Sequence, residues 1–232
     1  MELSLTDHQV SPPLVTIPRL YNAAHDLIAR HAQRRDKVAF AQDVDGPSLT
    51  FGQLEDRVQR FASALLKAGL RAEDRVMLCM HDTLNWPVAY LGCIYAGVIP
   101  IATNTLLTPK DYQYMLEDSR AVGLLVSSAL WPQFKDIVPS SVRTCWVDGD
   151  DVAPHPRMDD LVSSSEPLKQ PHASVSDEAC FWLYSSGSTG APKGTVHLHS
   201  HLIQTAELYG RGVLGIQEQD VVFSAAKLFF AY

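Results

Sequence analysis

At 232 residues, 46% hydrophobic and 19% charged, the chain has a globular composition with enough apolar material for one large core or two lobes. A formal net charge of −7 argues against a general nucleic-acid binder, which carries a basic surface; any anionic ligand must be held by local donors against an unfavourable field. Cys79, Cys93, Cys145 and Cys180 lie far apart in apolar stretches with no C-x-x-C pair, so buried reduced thiols and a cytoplasmic setting are expected.

The first residues have neither a basic start nor an apolar run, so no secretory signal is expected. Residues 1–19 carry Pro12, Pro13 and Pro18 and predict an irregular lead-in. A helix is expected over 22–33, then two paired strands, 39–43 and 48–50, around the turn Asp45-Gly46-Pro47. Thr50 and Gln53 form a capping box, because side chains at that spacing satisfy each other's orphan backbone N–H groups. Phe51, Leu54, Val58, Phe61, Leu65 and Leu66 then fall on one helical face, and Gly69 supplies a left-handed stop.

Residues 75–80 read as a strand. From Thr83 to Pro109 there is no charged residue, a length that could span a bilayer. Pro87, Gly92, Gly97, Pro100 and Asn104 break the run, so a buried helix over 86–96 followed by a short strand over 98–101 is expected instead, and no membrane association. Thr108-Pro109 opens another helix to about residue 118, by N-cap and first-turn proline. Strands are predicted at 122–127 and 143–147, with a helix around 131–137 between them. The Ser- and Pro-rich stretch 162–179 reads as a connector.

Strands alternating with helices at this spacing predict an α/β fold, a doubly wound and mostly parallel sheet with helices on both faces. Residues 20–176 are expected to form a first lobe with its connector. Residues 177–232 are expected to start a second lobe, opening on a strand over 180–184.

That strand feeds Tyr184-Ser185-Ser186-Gly187-Ser188-Thr189-Gly190-Ala191-Pro192-Lys193-Gly194. Glycines let the backbone approach an anion and aim N–H groups at it, hydroxyls rotate to meet phosphate oxygens, and a terminal lysine adds mobile positive charge. A Walker A loop is excluded: Pro192 stands before Lys193, Gly194 replaces the Mg-binding hydroxyl, and another strand, 195–198, precedes a helix that starts near His199. A flexible Ser/Gly linker would need neither flanking strand nor a Pro-Lys-Gly ending.

YSSGSTGAPKG resembles the signature of the adenylate-forming superfamily, which includes acyl- and aryl-CoA ligases, peptide-synthetase adenylation domains and firefly-type luciferases. LTFGQL at 49–54 is similar to the family's first element, and 91–100 with Asn104, Leu107 and Thr108 to its second. His199 matches a family histidine, although Leu198 replaces the usual threonine. The resemblance implies the large amino-terminal domain of such an enzyme, with Ser185, Ser186, Gly187, Ser188, Thr189, Gly190 and Lys193 binding ATP phosphates. It also implies Mg2+, and coenzyme A as co-substrate.

KLFFAY at 227–232 resembles benzoate–CoA ligases in particular. On that resemblance Phe230 gates the acid pocket, where many relatives carry histidine, and Ala231 and Tyr232 line it. An aromatic wall with one small residue leaves a flat slot for a planar ring; without the loop upstream, Phe-Phe among aliphatic residues would read as core. The expected substrate is a small aromatic carboxylic acid, benzoate first, converted to benzoyl-AMP and then benzoyl-CoA. Another small aromatic or aliphatic acid, or a non-catalytic nucleotide-binding module, are the alternatives.

His197, His199 and His201 alternate as strand-borne metal ligands would, but a turn to helix near His199 removes their common face, and no metal site is expected in the chain. The family's ribose-binding aspartate, Mg-binding glutamate and carboxy-terminal domain have no counterpart here. The chain is therefore expected to be a fragment without a complete set of catalytic residues, inactive by itself.

Overall fold

Apolar strands interleaved with amphipathic helices meet the sheet expected of them in a computed structural model that describes residues 1–43, 45–185 and 191–230. Six strands form the central sheet: β5 (Arg75–Cys79), β6 (Ile99–Ala102), β7 (Gly123–Ser127), β8 (Thr144–Asp148), β9 (Ala179–Ser185) and β10 (Lys193–Leu198). Their order is β10-β9-β6-β5-β7-β8, and every pairing is parallel except β9 with β10.

The central strands are apolar on both faces because both are covered. Val76 and Leu78 of β5 point into a layer with α2 (Phe51–Lys67) and α3 (Asn85–Tyr95). Met77 and Cys79 point the opposite way, towards α4 (Pro109–Asp118) and Phe134. The uncharged run at 83–109 is thus α3 followed by β6. At 11 residues α3 spans about 16 Å, half a bilayer core. No helix among the described residues is long and apolar enough to cross a membrane.

Local signals set the element ends. Thr50 Oγ1 accepts Gln53 N–H at 3.2 Å and Gln53 Oε1 accepts Thr50 N–H at 2.9 Å, the reciprocal box expected there. Thr108 and Asp111 repeat it at α4, with Pro109 in the first turn. Gly69 closes α2 at φ +87°. Leu54, Val58, Phe61 and Leu65 are buried as predicted, whereas Leu66 lies on the solvent side of the stripe, 39% exposed. Gly92 lets α3 close on α2: a β-carbon there would sit 2.8 Å from Phe61 Cδ1 and 3.4 Å from the Val58 carbonyl oxygen.

Several expectations change. The lead-in is not wholly irregular: β1 (Leu5–Asp7) and β2 (Leu14–Thr16) pair antiparallel. Three-residue strands are too short to show a period, so only the prolines between them were legible. The 39–43 and 48–50 strands do pair, as β3 (Val38–Ala41) and β4 (Ser48–Thr50). The helix at 131–137 is instead a 3-10 turn over Ser128–Gln133 containing Pro132. The connector begins as α5 (Met158–Ser164), where Met158 and Val162, one turn apart, are buried and outweigh the serines' loop preference. After it the chain stays bonded to the helical layer on one face of the sheet, through Leu168 N–H to Gln59 O, His172 N–H to Tyr95 O and Tyr21 N–H to Ser174 O. Beyond residue 177, β9 and β10 extend the central sheet from β6.

Helix α1 (Ala23–Ala29) packs beneath α6 (His199–Gln204), which continues as a π-helical turn over Thr205–Arg211. His199, 2% exposed, accepts Ala23 N–H on Nδ1 at 3.1 Å. Asp26 is fully buried yet answered, accepting from Ser4 Oγ and Tyr21 Oη, and pairing with Arg30, each at 2.6 Å. All four cysteines are free. Burial pushes the thiols up, Cys79 to about 12 and Cys145 to about 11, with Cys93 and Cys180 raised as well.

Two outcomes follow for stability. Gly92→Val should destabilise the fold by about 1–3 kcal/mol through overpacking against Phe61, read by urea unfolding; an unchanged midpoint would mean α2 and α3 yield freely. Burial lowers His199 to about 4, from 6.5. A histidine depressed on folding contributes stability above its unfolded pKa and loses it as pH falls through the folded value. The fold should therefore weaken between about pH 6.5 and pH 4 more steeply than in His199→Asn, which keeps an acceptor for Ala23 N–H without titrating. Parallel pH–stability curves would contradict this.

Candidate active site

The hairpin β9–β10 places the signature at the end of the sheet. In its register Lys193 stands opposite Ser185, Thr195 opposite Leu183 and His197 opposite Phe181. Directly opposed residues share a face, so Ser185, Lys193, Leu183, Thr195, Phe181 and His197 present to one side. Ser185 and Lys193 thus face each other across the mouth from which the signature loop springs. Ser186, Gly187, Ser188, Thr189 and Gly190 lie outside the described residues. Gly194, opposite Tyr184, keeps the stem close: a β-carbon there would lie 3.2 Å from the Trp182 ring.

Beside that mouth is a cavity of about 410 Å³. Its walls include Leu183, Ser185, Thr195 and His197 from the hairpin, Asn104 and Leu107 from the turn after β6, and Phe229 and Phe230. The volume falls in the range of small-molecule sites, and the lining is chiefly apolar with a few polar groups, as such sites require. Phe229 is 5% exposed, and its ring lies 4.5 Å from that of Phe230, which is 39% exposed at the rim. Ala231 and Tyr232 lie outside the described residues.

Polar contacts hold the walls. Tyr184 donates to Asp118 Oδ2 at 2.6 Å, tying the end of β9 to the end of α4. Burial, then that hydrogen bond, raises the Tyr184 hydroxyl well above its ordinary value, so it stays a donor. Asn104 Oδ1 accepts Leu106 N–H at 2.9 Å, and Tyr112 donates to the Asn104 carbonyl at 3.0 Å, shaping the turn that carries Leu107. The His197 ring stacks on Phe181 at 4.5 Å with 5° between planes. Burial, then the neighbouring His201, lowers its pKa and favours neutral imidazole beside the cavity.

The three alternating histidines diverge. His197 borders the cavity, His199 turns inward to α1, and His201 Nδ1 accepts Leu198 N–H at 3.2 Å, reaching back to the start of its own helix. Of the residues singled out from sequence, Ser185 and Phe230 border one cavity, with Lys193 on the hairpin face that forms its wall. Met115, Leu183, Thr195, His197 and Phe229 also border it without having been singled out as pocket residues. The signal that could have found the hairpin pair is strand period: Leu183 and Thr195 stand two residues before Ser185 and two after Lys193.

The sequence pattern of the family described as AMP-binding enzyme matches residues 28–232. The chain is 48% identical over 236 residues to a benzoate–CoA ligase of Thauera aromatica, covering 99% of this chain and 44% of that protein. It is 40% identical over 218 residues to a 4-hydroxybenzoate–CoA/benzoate–CoA ligase of Rhodopseudomonas palustris, covering 92% and 40%. A crystal structure of a benzoate CoA ligase from Burkholderia xenovorans superposes with a TM-score of 0.84 at 45% identity, over 92% of this chain and 42% of that one. The chain therefore spans less than half the length of these relatives. With the match running through the whole central sheet and the hairpin, the chain belongs to the AMP-binding enzyme family.

Proposed function

We propose that the protein carrying this chain is an AMP-forming aryl-acid–CoA ligase whose preferred acid is benzoate. The observation that carries the reading is the meeting of two chemistries at one cavity: a hydroxyl- and lysine-bearing hairpin mouth and an aromatic rim. Similarity to ligases named for benzoate supports the choice of acid.

Ser185 and Lys193, opposed across the mouth, would offer a hydroxyl and an ammonium to the β- and γ-phosphates of ATP, with the loop between them completing the cradle. A carboxylate oxygen of the acid attacks the α-phosphorus, an O–P bond forms, and the bond to pyrophosphate breaks. The thiol of coenzyme A, losing its proton, then attacks the acyl carbon and AMP leaves. In the first step the chain's contribution is positioning and neutralisation of phosphate charge, which Lys193 supplies where the protein is otherwise net negative.

Phe229 and Phe230, with neutral His197 beside them, make a wall that favours an uncharged planar ring over an aliphatic or charged group. Phe230 would act as the gate, and Ala231 and Tyr232 would continue the wall. The resemblance also implies Mg2+, which would neutralise phosphate charge together with Lys193. The four free thiols fit a reducing compartment, and we place the protein in the cytoplasm.

Lys193→Ala should slow adenylate formation, followed by pyrophosphate exchange, by about 10²-fold while leaving thioester formation from preformed benzoyl-AMP nearly unchanged. Equal loss in both half-reactions would sink the phosphate role. Across a panel of benzoate, 4-hydroxybenzoate, aminobenzoate and acetate, benzoate should give the highest kcat/KM; acetate leading the panel would rule out the aromatic pocket.

A further inference from the structure

Asp82 lies just past β5, at the carboxyl end of the parallel strands, where open α/β sheets carry their ligand crevices. Its Oδ1 accepts the Leu228 N–H at 3.2 Å, and its Oδ2 lies 3.9 Å from Lys227 Nζ. Leu228 immediately precedes Phe229 and Phe230, the aromatic side of the cavity. Residues 212–230 form no helix or strand, and the side chains of Val221, Val222 and Phe223 stand in solvent at 95%, 70% and 87% exposure. Regular hydrogen bonding therefore does not set where this segment runs.

The turn that carries Asp82 is itself anchored. Thr83 Oγ1 donates to Asp148 Oδ2 at 3.0 Å and Asn85 Nδ2 donates to Asp148 Oδ1 at 2.6 Å. Asp148 ends β8 and is only 6% exposed. Leu228 N–H is thus tied through Asp82 to a turn fixed against the far side of the sheet. On the other side of that bond Phe229 is packed in the core.

We propose that Asp82 is a positioning residue for the acid pocket: its carboxylate, accepting the Leu228 N–H, sets the depth at which Phe229 and Phe230 wall the cavity. This rests on the ligase reading above. At 3.2 Å the bond is of ordinary length for a backbone donor, so what it needs from residue 82 is an acceptor oxygen at that place. The working contact is the acceptor oxygen, because the Lys227 ammonium is half-exposed and separated by 3.9 Å, where solvent screens most of the attraction. The affected quantity is the fit of the acid, since the hairpin that carries Ser185 and Lys193 hangs from β6 by its own strand pairing.

The test compares Asp82→Ala and Asp82→Asn with the unsubstituted full-length protein, by amide hydrogen exchange over residues 225–230 and by separate KM values for benzoate and ATP. Asp82→Ala should speed exchange and raise the benzoate KM about tenfold, with the ATP KM within about twofold. Asp82→Asn keeps an oxygen where Oδ1 stands and should stay near the unsubstituted protein in both measurements. Unchanged exchange in Asp82→Ala, a parallel rise in both KM values, or an Asn variant as impaired as the Ala variant would overturn the proposal. If Asp82→Ala does not fold, Asp82→Asn decides alone, and a tenfold rise in its benzoate KM overturns it. If the unsubstituted protein turns over no aromatic acid, the ligase reading fails, while the exchange measurement still decides the anchor.

Discussion

Two parallel register pairs, Ile101 with Trp182 and Ala102 with Leu183, join β9 to β6 and so hang the hairpin on the sheet. On this short ladder depends everything that makes the region a site. β6 is buried at every position, so its place is set by packing on both faces. β9 borrows that rigidity, and β10 borrows it in turn through six antiparallel pairs. The hydroxyl and lysine at the hairpin mouth are then held at the rim of a cavity whose floor is the core. A site built on strand ends is more sharply placed than one built on free loops.

Buried polar groups keep that scaffold in register. Asp148 and Asp26 each receive hydrogen bonds from neighbouring elements: Thr83 and Asn85 donate to the first, Ser4 and Tyr21 to the second. A buried carboxylate left without such partners would cost several kcal/mol, so each acts as a strong geometric constraint on the elements that answer it. His199 does the same in neutral form, linking the helix after the hairpin to the start of α1. The hairpin and the amino-terminal helix are thereby parts of one packed body.

Much of this was legible in the residues because local chemistry and global packing agree. The boxes at Thr50 and Thr108 and the stop at Gly69 are short-range signals, and each stands where it was expected; strands flank the signature as expected too, with Lys193 and Gly194 already inside the second. What escaped were features decided at a distance. β1 and β2 exist because each has the other to pair with, and α5 because Met158 and Val162 find the core. Met115, on α4, meets Phe229 and Phe230 at the cavity only once the sheet is assembled, so no spacing along the chain announced it. The centre of the signature, from Ser186 to Gly190, together with Ala231 and Tyr232, was read from sequence and lies outside the described residues.

The cysteines carry a practical consequence. Three are fully buried and the fourth half-buried, all with protonation favoured well beyond neutral pH, so thiolate, the form that attacks electrophiles, is scarce at each. The chain is in effect a blank background for maleimide or spin-label chemistry. A single cysteine introduced on the exposed face of the hairpin or on the 220–224 stretch would take a fluorophore or nitroxide selectively, with no need to strip native thiols from the core and disturb its packing.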